Sequence, residues 1–433
     1  MEPEDRDDRA AVKALLDRVG EDGLVLPDYG EYCFAGVPGA CLDLLDGRPD
    51  GVPSLPADVF EGIDPDPIAN VVLVVIDGLS YDRFRNARDR LDAPLLPAVG
   101  DRGTVTALTS IVPSETASAI PTVHTGQYPT EHGRLGWWQY VAGVGPVQAL
   151  PYLTTDGTPV REAVPDAPDP SALSGATPIY PRVPDRISTG LFEPHEISDG
   201  RRHFSRGAGR YTGYSTLPDL AGRLRQALQG TPGAQYLYAY VPTIDRVSHR
   251  SGPWAPETDA ALEELFDALW RELVARLDGR VAERTLLVLT ADHGQIDSGG
   301  NNVDLREYVP LWESLATDSE GNRIPPVGGS RQLQLHLRAG AAEGLQRRLR
   351  RGFDCRVFAR PEYESRELFG PTDPSAVYDR NAPDLLWFPS GGGAWYDDDS
   401  LRTVGLHGGL SRAEMLVPFA AFPLGAARDR NAQ

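Results

Sequence analysis

At 433 residues, with 41% hydrophobic and 24% charged residues, the chain has ordinary globular composition and enough length for a large core with an inserted subdomain. The formal charge of −20, with Lys13 the single lysine among 42 basic residues, makes the chain a poor candidate for nonspecific duplex binding, which needs a basic face. Such an acidic surface suits a high-salt cytosol, where ions screen its self-repulsion; acidic coding from a GC-rich genome is the alternative.

No apolar run approaches the roughly 20 residues of a membrane span, and Met1 to Arg9 is acidic with no apolar leader, so a soluble, cytoplasmic protein is expected. Cys33, Cys41 and Cys355 form no CxxC pair and read as buried free thiols.

In chain order, residues 1–65 read as an N-terminal extension packed on the core, with a short helical pattern from Ala10 to Val19 among Pro/Gly turns. Asn70 to Ile76 (NVVLVVI) is a continuous β-branched run ending at Asp77-Gly78, the pattern of a buried central strand. Thr154 to Asp199, rich in Pro, Ser and Asp, reads as a long surface excursion. Strands are expected at Gln235 to Val241 and Thr285 to Thr290. Between them, Leu262, Leu265, Phe266, Leu269, Leu273 and Leu277 recur at helical spacing, which predicts one crossover helix over Pro256 to Leu277.

Residues 326–370 change character. Gln332 to Leu337 and Cys355 to Phe358 read as strands around a helix from Ala341 to Arg351, a small α+β insertion. Residues 371–433 return to the core through strand-like residues around Met415 to Phe422, so the catalytic α/β core comprises 66–325 and 371–433. Strand, helix, strand with polar residues at strand ends predicts a mostly parallel sheet covered by helices on both faces, with its site beyond the strands' carboxyl ends. Arg347, Arg348, Arg350 and Arg351 read as a solvated helix face, and neither they nor Arg201-Arg202 receive a role.

Four short motifs carry the chemistry. Asp77 ends a buried strand; Asp245 and His249 lie four apart in PTIDRVSH, on one face if the segment is helical; Asp292-His293-Gly294 ends another strand; His407 sits in HGG. Individually, Asp77 reads more readily as a cap and His407 as a loop histidine, and Asp245 with His249 reads equally well as a surface pair. Together they supply three carboxylates and three of the eight histidines, a donor set suited to two zinc-like ions. For Asp292 and His293 both to reach a metal the backbone must turn, which Gly294 permits. The segment VPSETASAIPTVHTG (112–126) places hydroxyls at what reads as a helix start, where free N–H groups favour an anion. Ser114, Thr116 and Ser118 are all possible nucleophiles, and Ser114 also fits a plain N-cap.

This ordered set, Asp77, Thr116, Asp245/His249, Asp292-His293, His407, resembles the alkaline phosphatase superfamily, most of all its type I phosphodiesterase/nucleotide pyrophosphatase branch. PSETASAIPTVHTGQYPTEHG (113–133) is similar to that branch's nucleophile segment, and counting back from Thr125-Gly126 selects Thr116. The resemblance spans roughly 68–140, 235–300 and 400–422 and implies an alkaline-phosphatase-like α/β/α sandwich. It further implies one metal held by Asp245, His249 and His407, and a second by Asp77, Asp292 and His293 with Thr116 Oγ1. The metals would be zinc, with manganese also compatible. The implied reaction passes through a threonyl-phosphate that water then hydrolyses.

One departure stands out: where eukaryotic-like relatives carry a phosphate-binding asparagine after the His-Gly pair, this chain has Trp137. That donor is either missing or supplied elsewhere, by Gln139 or a backbone N–H, and Trp137 and Trp138 are expected either to stack an aromatic leaving group or to pack under the site. A small phosphate ester or nucleotide-like substrate follows. A phosphomonoesterase is the first alternative and a non-catalytic binding protein of the same fold the second.

Overall fold

The computed structural model describes residues 3–196 and 202–427; Arg201 and the end of the Thr154–Asp199 stretch lie outside them. The run read as a central strand is Asn70–Ile76, buried at every position. It lies at the middle of a seven-stranded sheet in the order Thr104–Thr109, Leu416–Pro423, Thr285–Thr290, Asn70–Ile76, Ala234–Val241, Ile187–Pro194, Arg210–Tyr214. Every neighbouring pair is parallel except the two made by Leu416–Pro423.

A polar rung pins the register of the three central strands. Asn70 lies opposite both Gln235 and Thr285. Its Nδ2 donates to Thr285 Oγ1 at 3.2 Å, and Gln235 Nε2 donates to Asn70 Oδ1 at 3.4 Å. A one-residue slip would strand these buried groups without partners. Because the three strands start level and run parallel, they also end together, with Ile76 opposite Val241 and Val75 opposite Thr290. Asp77, the helix bearing Asp245, and Asp292 therefore emerge at one edge.

Helices cover the sheet in two groups. Leu217–Gly230 and Pro256–Ala268 pack together, and Thr116–Thr125 packs on Val37–Asp43 and the Phe34–Gly36 turn. The expected crossover helix is present as Pro256–Ala268, and Leu269–Val274 continues it as a π-helical turn. In the N-terminal region the helix is longer than expected, Pro3–Val19, and Phe34, Val37, Leu42 and Leu55 belong to the main core cluster. That segment contributes to the core as well as covering it.

Two expectations are corrected. Part of the stretch read as a surface excursion is the strand Ile187–Pro194, inside the central sheet. Its sequence hides this, because Gly190 interrupts the apolar run; a Cβ there would lie 2.9 Å from Leu237 Cδ2 on the neighbouring strand. Second, the sheet that contains Gln332–Leu335 and Cys355–Ala359 is not confined to 326–370. It has seven strands, and Trp138–Val141, Gly145–Gln148, Leu153–Thr154 and Leu385–Pro389 join Val327–Gly329 in it. Its neighbouring pairs are antiparallel. Local periodicity carries no signal for such pairing of sequence-distant strands. The arginine-rich helix is Ala342–Gly352, with Leu345 and Leu349 buried and Arg347 paired to Glu343, a solvated face as expected. Among the described residues, no helix is long and apolar enough to cross a membrane.

Candidate active site

Thr116 is the first residue of the helix Thr116–Thr125, all of whose residues are buried. Its position at N1 puts the hydroxyl beside unsatisfied backbone N–H groups, a favourable place for an anion. Oγ1 donates to Asp77 Oδ1 at 3.2 Å and lies 3.0 Å from His293 Nε2. Of the three possible nucleophiles, Thr116 alone faces the acidic cluster. Ser114 Oγ donates to Gly409 O and Ser118 Oγ to Arg134 O, both at 2.8 Å.

Asp245 and His249 lie on the helix Thr243–Ser251, and the four-residue spacing does put them together, His249 Nε2 at 3.2 Å from Asp245 Oδ2. His407 Nε2 lies 3.6 Å from Asp245 Oδ1, and its ring stacks on His293 with centroids 3.8 Å apart and planes 15° apart. Gly294 serves the site by closeness rather than by an unusual backbone angle. A Cβ there would sit 2.1 Å from Ala413 O.

The three histidines share one arrangement. Nδ1 faces a backbone carbonyl in each: Gly405 O at 2.7 Å from His249, Gly294 O at 3.1 Å from His293, Ser114 O at 3.3 Å from His407. A carbonyl oxygen only accepts, so each Nδ1 carries a hydrogen and Nε2 is the ring nitrogen turned to the carboxylates. That is how metal-ligating histidines are oriented. The carboxylates are braced too. Tyr240 OH donates to Asp77 Oδ2, Gln295 Nε2 to Asp245 Oδ1, and Gly78 N to Asp292 Oδ1. Asp292 Oδ2 is buried with no hydrogen-bond partner, its facing charge being His293 Nε2 at 3.7 Å, and a cation would satisfy it.

Electrostatics agree. Burial and the nearby Asp77 push Asp292 up to about 7. Burial would depress His293 and His249, but Asp292 with Asp77 raises the first to about 10, and Asp245 raises the second to about 9. Burial and His293 hold His407 well below its ordinary value. The cluster is short of positive charge, and the residues present fit divalent cations.

Donor atoms of Asp77, Asp292 and His293 lie within 4.8 Å of one another, as do those of Asp245, His293 and His407. The first group is the expected one. In the second, His293 closes the set where His249 was expected, with His249 attached through Asp245.

The family model for type I phosphodiesterase/nucleotide pyrophosphatase matches residues 71–348, well over half the chain. The chain belongs to that family. Membership makes it a metal-dependent phosphoester hydrolase of the alkaline phosphatase superfamily. Murine ectonucleotide pyrophosphatase/phosphodiesterase 5 is similar in fold at 15% identity and TM-score 0.59, over 81% of this chain and 87% of that one. Phosphonoacetate hydrolase from Sinorhizobium meliloti 1021 is similar at 19% identity and TM-score 0.57, over 82% and 90%. The murine protein is also known as an inactive variant in complex with AMP, and the bacterial one in complex with phosphonoacetate. No curated protein sequence matches the chain.

In this family member the cluster opens into a cavity of about 790 Å³, whose walls include Trp137, Trp138, Leu150, Trp395, Arg246 and Arg250. Trp137 and Trp138 line it, but Gln139 does not. On the strand Trp138–Val141 neighbouring side chains point to opposite faces, and Gln139 Oε1 accepts from Arg134 instead, at 3.2 Å. The Trp137 N–H is also engaged, donating to Glu115 Oε2 at 2.8 Å. Gln139 and the Trp137 N–H are therefore both already engaged.

Sequence reasoning passed over Glu115, Tyr240 and Gln295. Glu115, buried beside Thr116, is pushed up to about 7 chiefly by that burial. Tyr240 had a signal, since Tyr236, Tyr238 and Tyr240 alternate along one strand toward its carboxyl end. Gln295 had none beyond its place after Asp292-His293-Gly294.

Proposed function

We propose that the chain is a two-metal phosphodiesterase or nucleotide pyrophosphatase in which Thr116 is the nucleophile. The observation that supports this most is the convergence of three histidine Nε2 atoms and three carboxylates in one cluster that meets Thr116 Oγ1, at a helix N-terminus, through Asp77 and His293. Asp77, Asp292 and His293 would hold one cation and Asp245, His249 and His407 the other, zinc or manganese by donor type. Bound there, the cations would favour the Thr116 alkoxide and offset charge on the phosphate oxygens.

The chain's own residues do the positioning. Asp77 and His293 hold the Thr116 hydroxyl in place, and the helix N-terminus receives the phosphate. Oγ1 attacks phosphorus, the leaving oxygen departs with its organic group and takes up a proton, and a threonyl phosphoester remains. Water then attacks the same phosphorus, releases the product acid and restores the hydroxyl. Trp137, Trp138 and Trp395 form the wall against which the organic part of a nucleotide-like substrate would lie. The acidic composition supports a high-salt cytosol as the setting, and activity that falls as KCl is raised to molar levels would contradict it.

The deciding experiment compares hydrolysis of bis-p-nitrophenyl phosphate and p-nitrophenyl phosphate, with and without zinc or manganese. Metal-dependent preference for the diester supports the proposal. Preference for the monoester moves the chain to the phosphomonoesterases, and silence on both leaves a binding protein.

A further inference from the structure

We infer that Glu115 makes this site selective for monoanionic phosphodiesters over dianionic phosphomonoesters, an inference that rests on the phosphoester-hydrolase reading above. Glu115 immediately precedes the nucleophile, is 2% exposed, and lines the same cavity as Thr116. Its Oε2 is fixed by the Trp137 N–H.

Two glycines from separate segments make room for the carboxyl. A Cβ on Gly329, at the end of the strand Val327–Gly329, would lie 2.1 Å from Oε1; one on Gly408, next to His407, would lie 2.6 Å from it. Any side chain at either place would displace the carboxyl, so the pocket is shaped around it. Among the described residues no arginine pairs with Glu115; the charged groups acting on it are His293 and Glu414, and Glu414 is itself paired with Arg331.

The consequence concerns charge. The Trp137 N–H is already bound to the Glu115 carboxylate and so is not offered to a phosphate. At pH 8.5 a phosphomonoester carries two negative charges and a diester one. One more unit charge facing a carboxylate a few ångströms away in a partly desolvated cavity lowers binding and turnover by on the order of tenfold or more.

The test uses metal-loaded, full-length protein at pH 8.5. It takes kcat/KM for bis-p-nitrophenyl phosphate and p-nitrophenyl phosphate, with Ki for inorganic phosphate, in wild type, Glu115→Gln and Glu115→Asp. Glu115→Gln is expected to lower the diester-to-monoester ratio about tenfold or more and to tighten phosphate binding, while Glu115→Asp keeps the wild-type preference. An unchanged ratio and unchanged Ki in Glu115→Gln overturns the inference. A second comparison needs no variant. Wild type is expected to bind diethyl phosphate, a monoanion, more tightly than inorganic phosphate, and the reverse order overturns the inference. Absence of hydrolysis in wild type, or full turnover in Thr116→Ala, would strike the reaction itself. Normal diester turnover with an insensitive ratio strikes only the role of Glu115.

Discussion

The Arg331 guanidinium lies edge-on to the Glu414 carboxylate, Nε to Oε1 and the terminal nitrogen to Oε2, both at 2.9 Å. Both side chains are almost fully buried, and the pair holds Glu414 well ionised despite that burial. Arg331 belongs to the second sheet's hairpin between Val327–Gly329 and Gln332–Leu335. Glu414 also accepts from Gly409 N at 2.9 Å and Ser411 N at 3.3 Å, so one fork ties that sheet to the loop bearing His407.

Removing one partner of a buried, hydrogen-bonded pair leaves the other charge uncompensated, which costs about 3–5 kcal/mol. Arg331→Met is expected to lose that much stability in guanidinium denaturation, and Arg331→Met/Glu414→Met to recover part of it. A loss below about 1 kcal/mol in the single variant would show that the pair does not hold the loop.

Gln295 braces Asp245 through an amide hydrogen bond, and its own Oε1 is buried without a partner. Residues that orient metal ligands typically contribute about 10–100-fold in affinity. Gln295→Leu should weaken metal binding by that order, read by competition with a chromophoric chelator, while circular dichroism stays native. Unaltered affinity would show that Asp245 needs no brace.

His132 is buried with Nε2 3.0 Å from Thr122 Oγ1, and Nδ1 accepts from Arg134 N at 3.1 Å. Burial, with Arg134 nearby, lowers it from 6.5 to about 3. The unfolded chain therefore binds this proton more readily than the folded one between those values. The stability from a neutral His132 is complete above about pH 6.5 and is lost as pH falls from there toward 3. The melting temperature should drop between pH 7 and 5, and His132→Gln should show a shallower drop over the same window. Parallel curves for the two proteins would remove His132 from the acid response.

What was legible in the sequence was what local pattern carries. The runs NVVLVVI and TLLVLT became central strands over the same residues, because parallel strands buried on both faces need unbroken apolar sequence. The metal-type residues were legible for a different reason: each stands at a strand end or on one helical turn, so its sequence neighbourhood announces its place. Gln139 misled because the strand's alternation turns it away from its neighbour Trp138. Ile187–Pro194 and the second sheet were hidden because their strands are defined by distant partners, and Glu115 because only the folded chain brings Gly329 and Gly408 around it.

The most direct test of the account is rapid acid quenching of the metal-loaded protein during turnover of bis-p-nitrophenyl phosphate, followed by mass spectrometry of its peptides. The expected result is a nitrophenyl-phosphoryl adduct on Thr116, absent from Thr116→Ala, which should bind metal as wild type but not turn over. An adduct on Ser114 or Ser118, or undiminished turnover in Thr116→Ala, would contradict it.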